Sequence, residues 1–441
     1  MTENSSPPPL SVRENYRLDD RMRGVPPGTT GLDSSLVAAE HWHPAEGRMS
    51  LPVLTLDEGA FAANRDLFLR YAREHNVAIA PHAKTPMAPD LARSLVEAGA
   101  WGTTVADIRQ ATVMLRAGLT RLIIANEVGG AGGANRLAAL AGAWPNADLH
   151  VFADSVAAVT ALAEAWRGNA ALPPLSVLVE LGAGRAGART TAEAEAIADA
   201  ITAADGRLLI AGVATYEGAA AQPEPGRTDE VISALLAMTA DMFLRLRARV
   251  GGDAPLIITA GGSVFFDRVV ATLSPVAFSD GNATLVLRSG AIFFHDHGTY
   301  DRSLGALDAR KGFAIGGISA SARHSFRPAL RLWAEVLSRA EPGLVICGMG
   351  MRDVSFDQGF PTLLTVSRAG KPLPMAEVRA KVVKLNDQHA FLSIAPSNDI
   401  AVGDVVEFGI SHPCTCLDRY RVIFGVDATG HVRHAFPTWF G

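Results

Sequence analysis

The sequence predicts an α/β protein: an N-terminal TIM (β/α)8 barrel followed by a C-terminal antiparallel β-domain. Three observations carry this. Short apolar runs bounded by turn residues alternate with Ala-rich helical stretches, which is how buried parallel strands and their crossover helices read. Eight such units stand in one series, the count of a TIM barrel. The same alternation permits an open doubly wound sheet, but no Gly-rich nucleotide fingerprint follows the first strand. After about residue 310 the pattern changes to short, Gly-punctuated β-type runs.

Taken in order, residues 1–50 form an N-terminal extension, polar and Pro-rich at first and irregular over 26–50. LPVLTL (51–56) reads as a strand that the barrel count leaves over. It is expected to pair with the C-terminal β-domain, so that this domain comprises 311–441 plus 51–57. A helix is predicted over 58–74, with Phe61, Leu67, Phe68 and Tyr71 on its apolar side. The barrel is assigned to 58–300. Its strands are expected within 77–84, 102–106, 121–126, 149–154, 175–182, 208–217, 256–262 and 284–290. Helical stretches fall between them at 89–100, 107–117, 131–142, 155–167, 191–203 and 228–249. Beyond the barrel, helical periodicity survives only near 327–339.

Length and composition bound the function. A chain of 441 residues has room for two or three domains, or a barrel plus a smaller domain, and needs no disulfide to fold. With 48% apolar and 19% charged residues it is not a disordered chain. Forty Lys and Arg against 45 Asp and Glu give a net charge of −5, which argues against nucleic acid or an anionic membrane as partner. Three cysteines make no disulfide framework and fit a reducing compartment. The N-terminus has no apolar signal region and no 18-residue apolar stretch occurs, so a soluble, cytoplasmic protein is expected.

Three features point to chemistry. Lys84 ends the first barrel strand, and barrel active sites lie at the C-terminal ends of the strands. A partly desolvated amine there loses basicity and can form a Schiff base. TAGGS (259–263) ends the seventh strand and RSG (288–290) the eighth, the place where barrels hold phosphate with backbone N–H groups. Gly261, Gly262 and Ser263 let the backbone approach an anion, and Gly290 and Ala291 add donors. A lysine and a phosphate cradle together suggest pyridoxal 5′-phosphate. The third feature is SHPCTC (411–416). In an extended segment His412 and Cys414 point the same way, and an imidazole with a thiolate suits Zn²⁺ with positions left open. Cys416 shares that face by parity, as a third ligand or a bystander. His295 and His297 read as surface or site-rim polar residues.

PHAKTPMAPDL, AGAWGTTVAD and LIIANEV resemble the N-terminal signature of the D-serine dehydratase/D-threonine aldolase family, fold-type III pyridoxal-phosphate enzymes. The likeness is strongest to the bacterial branch called amino acid deaminase or D-serine deaminase-like. Further points of likeness follow in order: LGAGRAGAR, GVATYEG, TAGGS, LRSGAIFFHD, GMGMRDVSFDQGFPT, LNDQHAFL and SHPCTCLDRYR, over roughly 50–435. The resemblance implies an alanine racemase-like barrel and a homodimer. It implies cofactor attachment to Lys84, with His82, Arg185, Tyr216, Gly261, Gly262, Ser263 and Gly290 around the cofactor and zinc or another divalent metal on His412 and Cys414. It also implies a catalytic His389 near the metal end, and Asp353 and Asp357 positioning substrate or loop. Pro86 stands where relatives commonly have His or Thr, and Cys416 where they usually have Thr. The reaction implied is loss of water and ammonia from a D-3-hydroxy amino acid such as D-serine, giving a 2-oxo acid. Retro-aldol cleavage of D-threonine type is the alternative, ahead of a racemase or a non-catalytic pyridoxal-phosphate carrier.

Overall fold

The computed structural model describes residues 16–222, 224–374 and 380–441. Eight parallel strands form one curled sheet: β1 (Ala78–Ile79), β2 (Thr103–Val105), β3 (Arg121–Ile124), β4 (Asp148–Ala153), β5 (Leu175–Leu181), β6 (Leu208–Thr215), β7 (Leu256–Ala260) and β8 (Ala283–Leu287). Neighbours follow chain order from β2 to β8, and β8 pairs with β1. The ring closes just past β1, where the Thr104 amide donates to Pro81 O at 3.0 Å and the Ala83 amide to Thr104 O at 2.8 Å. Six strands lie inside runs predicted from the sequence, and β4 and β8 each begin one residue ahead of theirs.

Two apolar layers hold the barrel. Outside, the crossover helices bury one face against the strands; Leu162 and Trp166 of Val156–Arg167 and Ile197 and Ile201 of Thr191–Thr202 are buried. Inside, Ala80, Ile123, Phe152, Leu178, Ala214, Ile257 and Val286 form a separate cluster that plugs the barrel. Filling a barrel with side chains makes it a core rather than a pore. Burying Phe152 contributes about 1.5–3 kcal/mol on area grounds.

The C-terminal region is a second sheet built around the long strand β9 (Leu330–Glu341). This segment was expected to be helical. Its Leu, Ala, Glu and Arg are good helix formers, but propensity is a weak force beside tertiary pairing. β9 is bonded antiparallel to Val53–Asp57 and to β10 (Leu344–Cys347). It also pairs antiparallel with Val405–Gly409, the central strand on this side. Val422–Val426 runs parallel to Val53–Asp57, and among the described residues the other pairings of this sheet are antiparallel. Residues 16–50 pack against this sheet. Trp42 is buried among Val53, Trp333 and Phe424, and Val432 N donates to Trp42 O at 2.9 Å. Residues 1–15 of the expected extension lie outside the described residues. No described helix is long and apolar enough to cross a membrane.

Candidate functional site

At the C-terminal ends of the barrel strands lies a cavity of about 330 Å³. It is lined by His82, Lys84, Arg185, Tyr216, Gly261, Gly262, Ser263, Gly290, His412 and Cys414, ten residues singled out from the sequence. Thr85, Asn126, Arg288, Ser289, Ala291 and Tyr300 complete most of its wall. A larger groove of about 620 Å³ adjoins it at Ala106 and Asn126, but contains neither the lysine nor the His–Cys pair.

Lys84 is open to the cavity, yet protein surrounds it closely. Desolvation lowers its amine below the ordinary lysine value; Arg185 and Arg288 act in the same direction, and Cys414 opposes them. His82, deeper in the wall, lies well below the ordinary imidazole value because of burial and the charges of Lys84 and Arg288, so it is neutral.

The two glycine loops differ from expectation in one respect. The amides of Gly261 and Gly262 donate to the buried carboxylate of Glu217, at 3.1 and 2.8 Å. They hold the loop rather than stand free for an anion, because a buried carboxylate needs donors. Ser289 Oγ ties the same loop down by donating to Gly261 O and Gly262 O, at 3.1 and 2.9 Å. The amides of Ser263, Gly290 and Ala291 have no partner among the described residues, and these three residues line the cavity. Glycine is required at 290: a Cβ there would lie 2.5 Å from His82 O. This cradle fits a phosphate, with three free amides and Ser263 close by.

Three charged residues that sequence reasoning passed over sit under this cavity or in its wall. Arg288 directly follows β8 and is buried over the Phe152 ring, 5.2 Å from its centroid. It donates to Thr259 Oγ1 at 2.8 Å and Thr215 O at 2.7 Å. Glu180, at the end of β5, is 2% exposed. Burial, then the hydrogen bond and charge of Glu127, push its carboxyl up to about 9, so it keeps its proton at neutral pH. Arg185 Nη2 lies 3.8 Å from it and over the Tyr216 ring, 5.2 Å from the centroid. Glu217 is the third. A charged residue closing an otherwise apolar strand, as in LVLR or VLVE, was the available signal.

The His–Cys pair is delivered by the other sheet. Its geometry is not the extended one expected: Pro413–Leu417 is a short helix, His412 is its N-cap residue, and Cys414 lies in its first turn. Cys414 Sγ is 3.3 Å from Thr85 Oγ1. His412 Nδ1 bonds Asp357 at 2.6 Å, and Thr415 donates to the same carboxylate at 2.7 Å. Burial lowers the imidazole, but hydrogen bonds to Cys414 and Asp357 outweigh it and raise His412 to about 9. Helical geometry breaks the parity argument for Cys416. It is fully buried, its thiol is pushed up to about 12 by burial, and it does not line the cavity. Among the described residues no group of three or more His, Cys, Asp or Glu is arranged to hold a metal. The donors that could hold one are the pair, with Asp357 on Nδ1 in the place of the usual outer partner of a metal-binding histidine.

Two expectations fail on position. His389 lies on the exposed turn between Ala380–Leu385 and Ala390–Ile394 and lines a separate surface pocket with Met351 and Asp387. The family resemblance implied a place near the metal end, whereas the hairpin carries it to this separate pocket. His295 is buried and His297 half-buried rather than on the surface: burial lowers both to about 4, and among the described residues neither His295 ring nitrogen has a hydrogen-bond partner. Asp353, by contrast, is buried in the loop below the His–Cys helix, where its carboxylate accepts the Gly350 amide at 2.8 Å.

Comparison with known proteins agrees with both halves. Residues 56–260 match the alanine racemase N-terminal domain family, and residues 329–426 a putative serine dehydratase domain family. A D-threonine aldolase from Arthrobacter sp is 25% identical over 352 residues, 79% of this chain and 81% of that protein. The crystal structure of D-threonine aldolase from Filomicrobium marinum superposes with a TM-score of 0.71 at 25% identity, over 89% of this chain and 95% of that one. D-threo-3-hydroxyaspartate dehydratase from Delftia sp. HT23 shares the fold, with a TM-score of 0.66 at 22% identity, covering 89% of this chain and 98% of that one.

Proposed function

Because the chain belongs to the D-serine dehydratase/D-threonine aldolase family, with its alanine racemase-like barrel, we propose that it is a pyridoxal-phosphate-dependent lyase of D-3-hydroxy amino acids such as D-serine. It converts them to a 2-oxo acid and ammonia. One observation carries the reading: a desolvated lysine, three unpartnered backbone amides and a His–Cys pair face the same cavity.

The amides of Ser263, Gly290 and Ala291 hold the phosphate, and Lys84 is the point of covalent attachment. Bound cofactor supplies the electron sink for the α-carbon. Once substrate amine has displaced it, Lys84 Nζ removes the α-proton; desolvation lowers its basicity and so favours the neutral amine that a base requires. Arg185 and Tyr216 stack at one wall and orient the bound ring system. His412 and Cys414 hold a divalent metal, zinc by donor type, which supplies Lewis acidity toward the β-hydroxyl. Asp357 keeps His412 turned toward it. The test is product analysis on D-serine with and without chelator. A 2-oxo acid that disappears on metal removal is expected; activity unaffected by complete metal removal overturns the metal's role.

The second reading is retro-aldol cleavage, favoured by the likeness to D-threonine aldolase. It predicts glycine and an aldehyde from D-threonine, with no 2-oxo acid from D-serine.

A further inference from the structure

The connection after β8 reaches the cavity from an unexpected side. It is stitched to the segment that carries His412 and Cys414: the His297 amide donates to Ile410 O at 2.9 Å and the Thr299 amide to Ser411 O at 3.0 Å. The approach is too close for any side chain at 298, where a Cβ would lie 2.5 Å from Ser411 O. One oxygen of the buried Asp296 carboxylate accepts the amides of Gly298, Tyr300 and Asp301, at 2.8, 2.9 and 3.3 Å. That triple bond set fixes the first turn of the helix Thr299–Ala309. Tyr300, in this turn, is thereby placed in the cavity wall with His412 and Cys414, within electrostatic reach of Cys414 and Tyr216.

Buried tyrosines usually find a partner for the hydroxyl. Tyr300 is half-buried in the cavity wall, and among the described residues no hydrogen bond is made by its hydroxyl. A phenol so firmly placed, with its polar end left unmatched in a ligand cavity, is matched by the ligand.

We propose that Tyr300 is a catalytic residue, whose phenol protonates the β-oxygen of the substrate as that oxygen leaves. This rests on the elimination reading above. In the step, Lys84 Nζ takes the α-proton and the Cα–H electron pair becomes the Cα–Cβ double bond. The Cβ–O bond breaks with its pair on oxygen, Tyr300 Oη gives up its proton, and water departs. The phenolate is then reprotonated from the Lys84 ammonium, which closes the proton count. An ordinary phenol carries its proton at neutral pH, so it is a donor in this step.

The experiment compares parent and Tyr300→Phe holoenzyme on D-serine and on β-chloro-D-alanine, whose chloride leaves without a proton. Binding of D-alanine, which has no leaving group, is followed by the cofactor's absorbance. The variant is expected to lose about 10²-fold or more in kcat on D-serine, to stay within about threefold on β-chloro-D-alanine, and to bind D-alanine unchanged. Unchanged D-serine turnover overturns the proposal. So does an equal loss on both substrates, or lost D-alanine binding, since either shows the tyrosine to be structural. Failure of the lyase reading appears elsewhere, as parent enzyme yielding no 2-oxo acid from either substrate.

Discussion

The two ends of the cavity are built differently. The glycine end, between the loops after β7 and β8, is made of backbone: three amides without a partner among the described residues, with Glu217 and Ser289 clamping the loop from behind. The His–Cys end is made of side chains from the second sheet, aimed by Asp357, Thr415 and Thr85. Backbone donors are fixed by loop geometry and survive most side-chain changes, whereas a side-chain site depends on each outer partner. The glycine end should therefore fail by steric exclusion and the His–Cys end by loss of orientation.

Lys84, between the two ends, gives the largest expected effect. Lys84→Ala should remove the visible absorbance of bound cofactor and lower turnover by at least about 10³-fold, since one group serves as attachment point and base. Absorbance and a 2-oxo acid assay on one preparation check this. Next, Gly290→Ala tests the backbone end. The added methyl meets the His82 carbonyl, so a shift costing about 1–3 kcal/mol is expected, with cofactor affinity reduced while metal content is kept. Equilibrium dialysis and metal analysis separate the two. Asp357→Asn tests the other end. It should weaken metal binding about 10–100-fold and leave cofactor absorbance intact. If cofactor and metal fall together in either variant, the two ends are not independent.

The smallest effect concerns the acid beneath both. Glu180 has a folded-state value of about 9, above its ordinary value of 4.5. The folded state thus binds a proton that the unfolded state releases, and stability declines as pH rises from about 4.5 to 9. Glu180→Gln mimics the protonated form and should remove this decline. Relative to parent, its Tm is expected to rise as pH goes up through this range, by about a few degrees. A Tm difference that does not change with pH counts against a protonated Glu180.

The barrel was legible because its signals are local. Each strand is an apolar run of its own, and Lys84 is notable simply because it ends one. His412 and Cys414 were found through their spacing, although the helix Pro413–Leu417 replaces the extended segment that the spacing assumed. The same change of geometry sends Cys416 into the core. Strand β9 was misread because its composition favours helix while three neighbouring strands impose pairing. Arg288 and Glu180 show only a charge at the end of an apolar run, and Glu217 and Tyr300 carry no local signature; each matters through partners tens to hundreds of residues away.

The sequence by itself determined the alternation that makes a barrel, the lysine at its mouth and the glycines that let loops close over it. Hydrophobic periodicity and glycine's freedom are properties of short segments. Tertiary structure alone decided which donors stay free. Among the described residues Glu217 takes the amides of Gly261 and Gly262 and leaves those of Ser263, Gly290 and Ala291, and Asp357 takes Nδ1 of His412 and so turns its ring. A hydrogen bond once made to one partner is withdrawn from another, and that competition is settled only when distant segments meet.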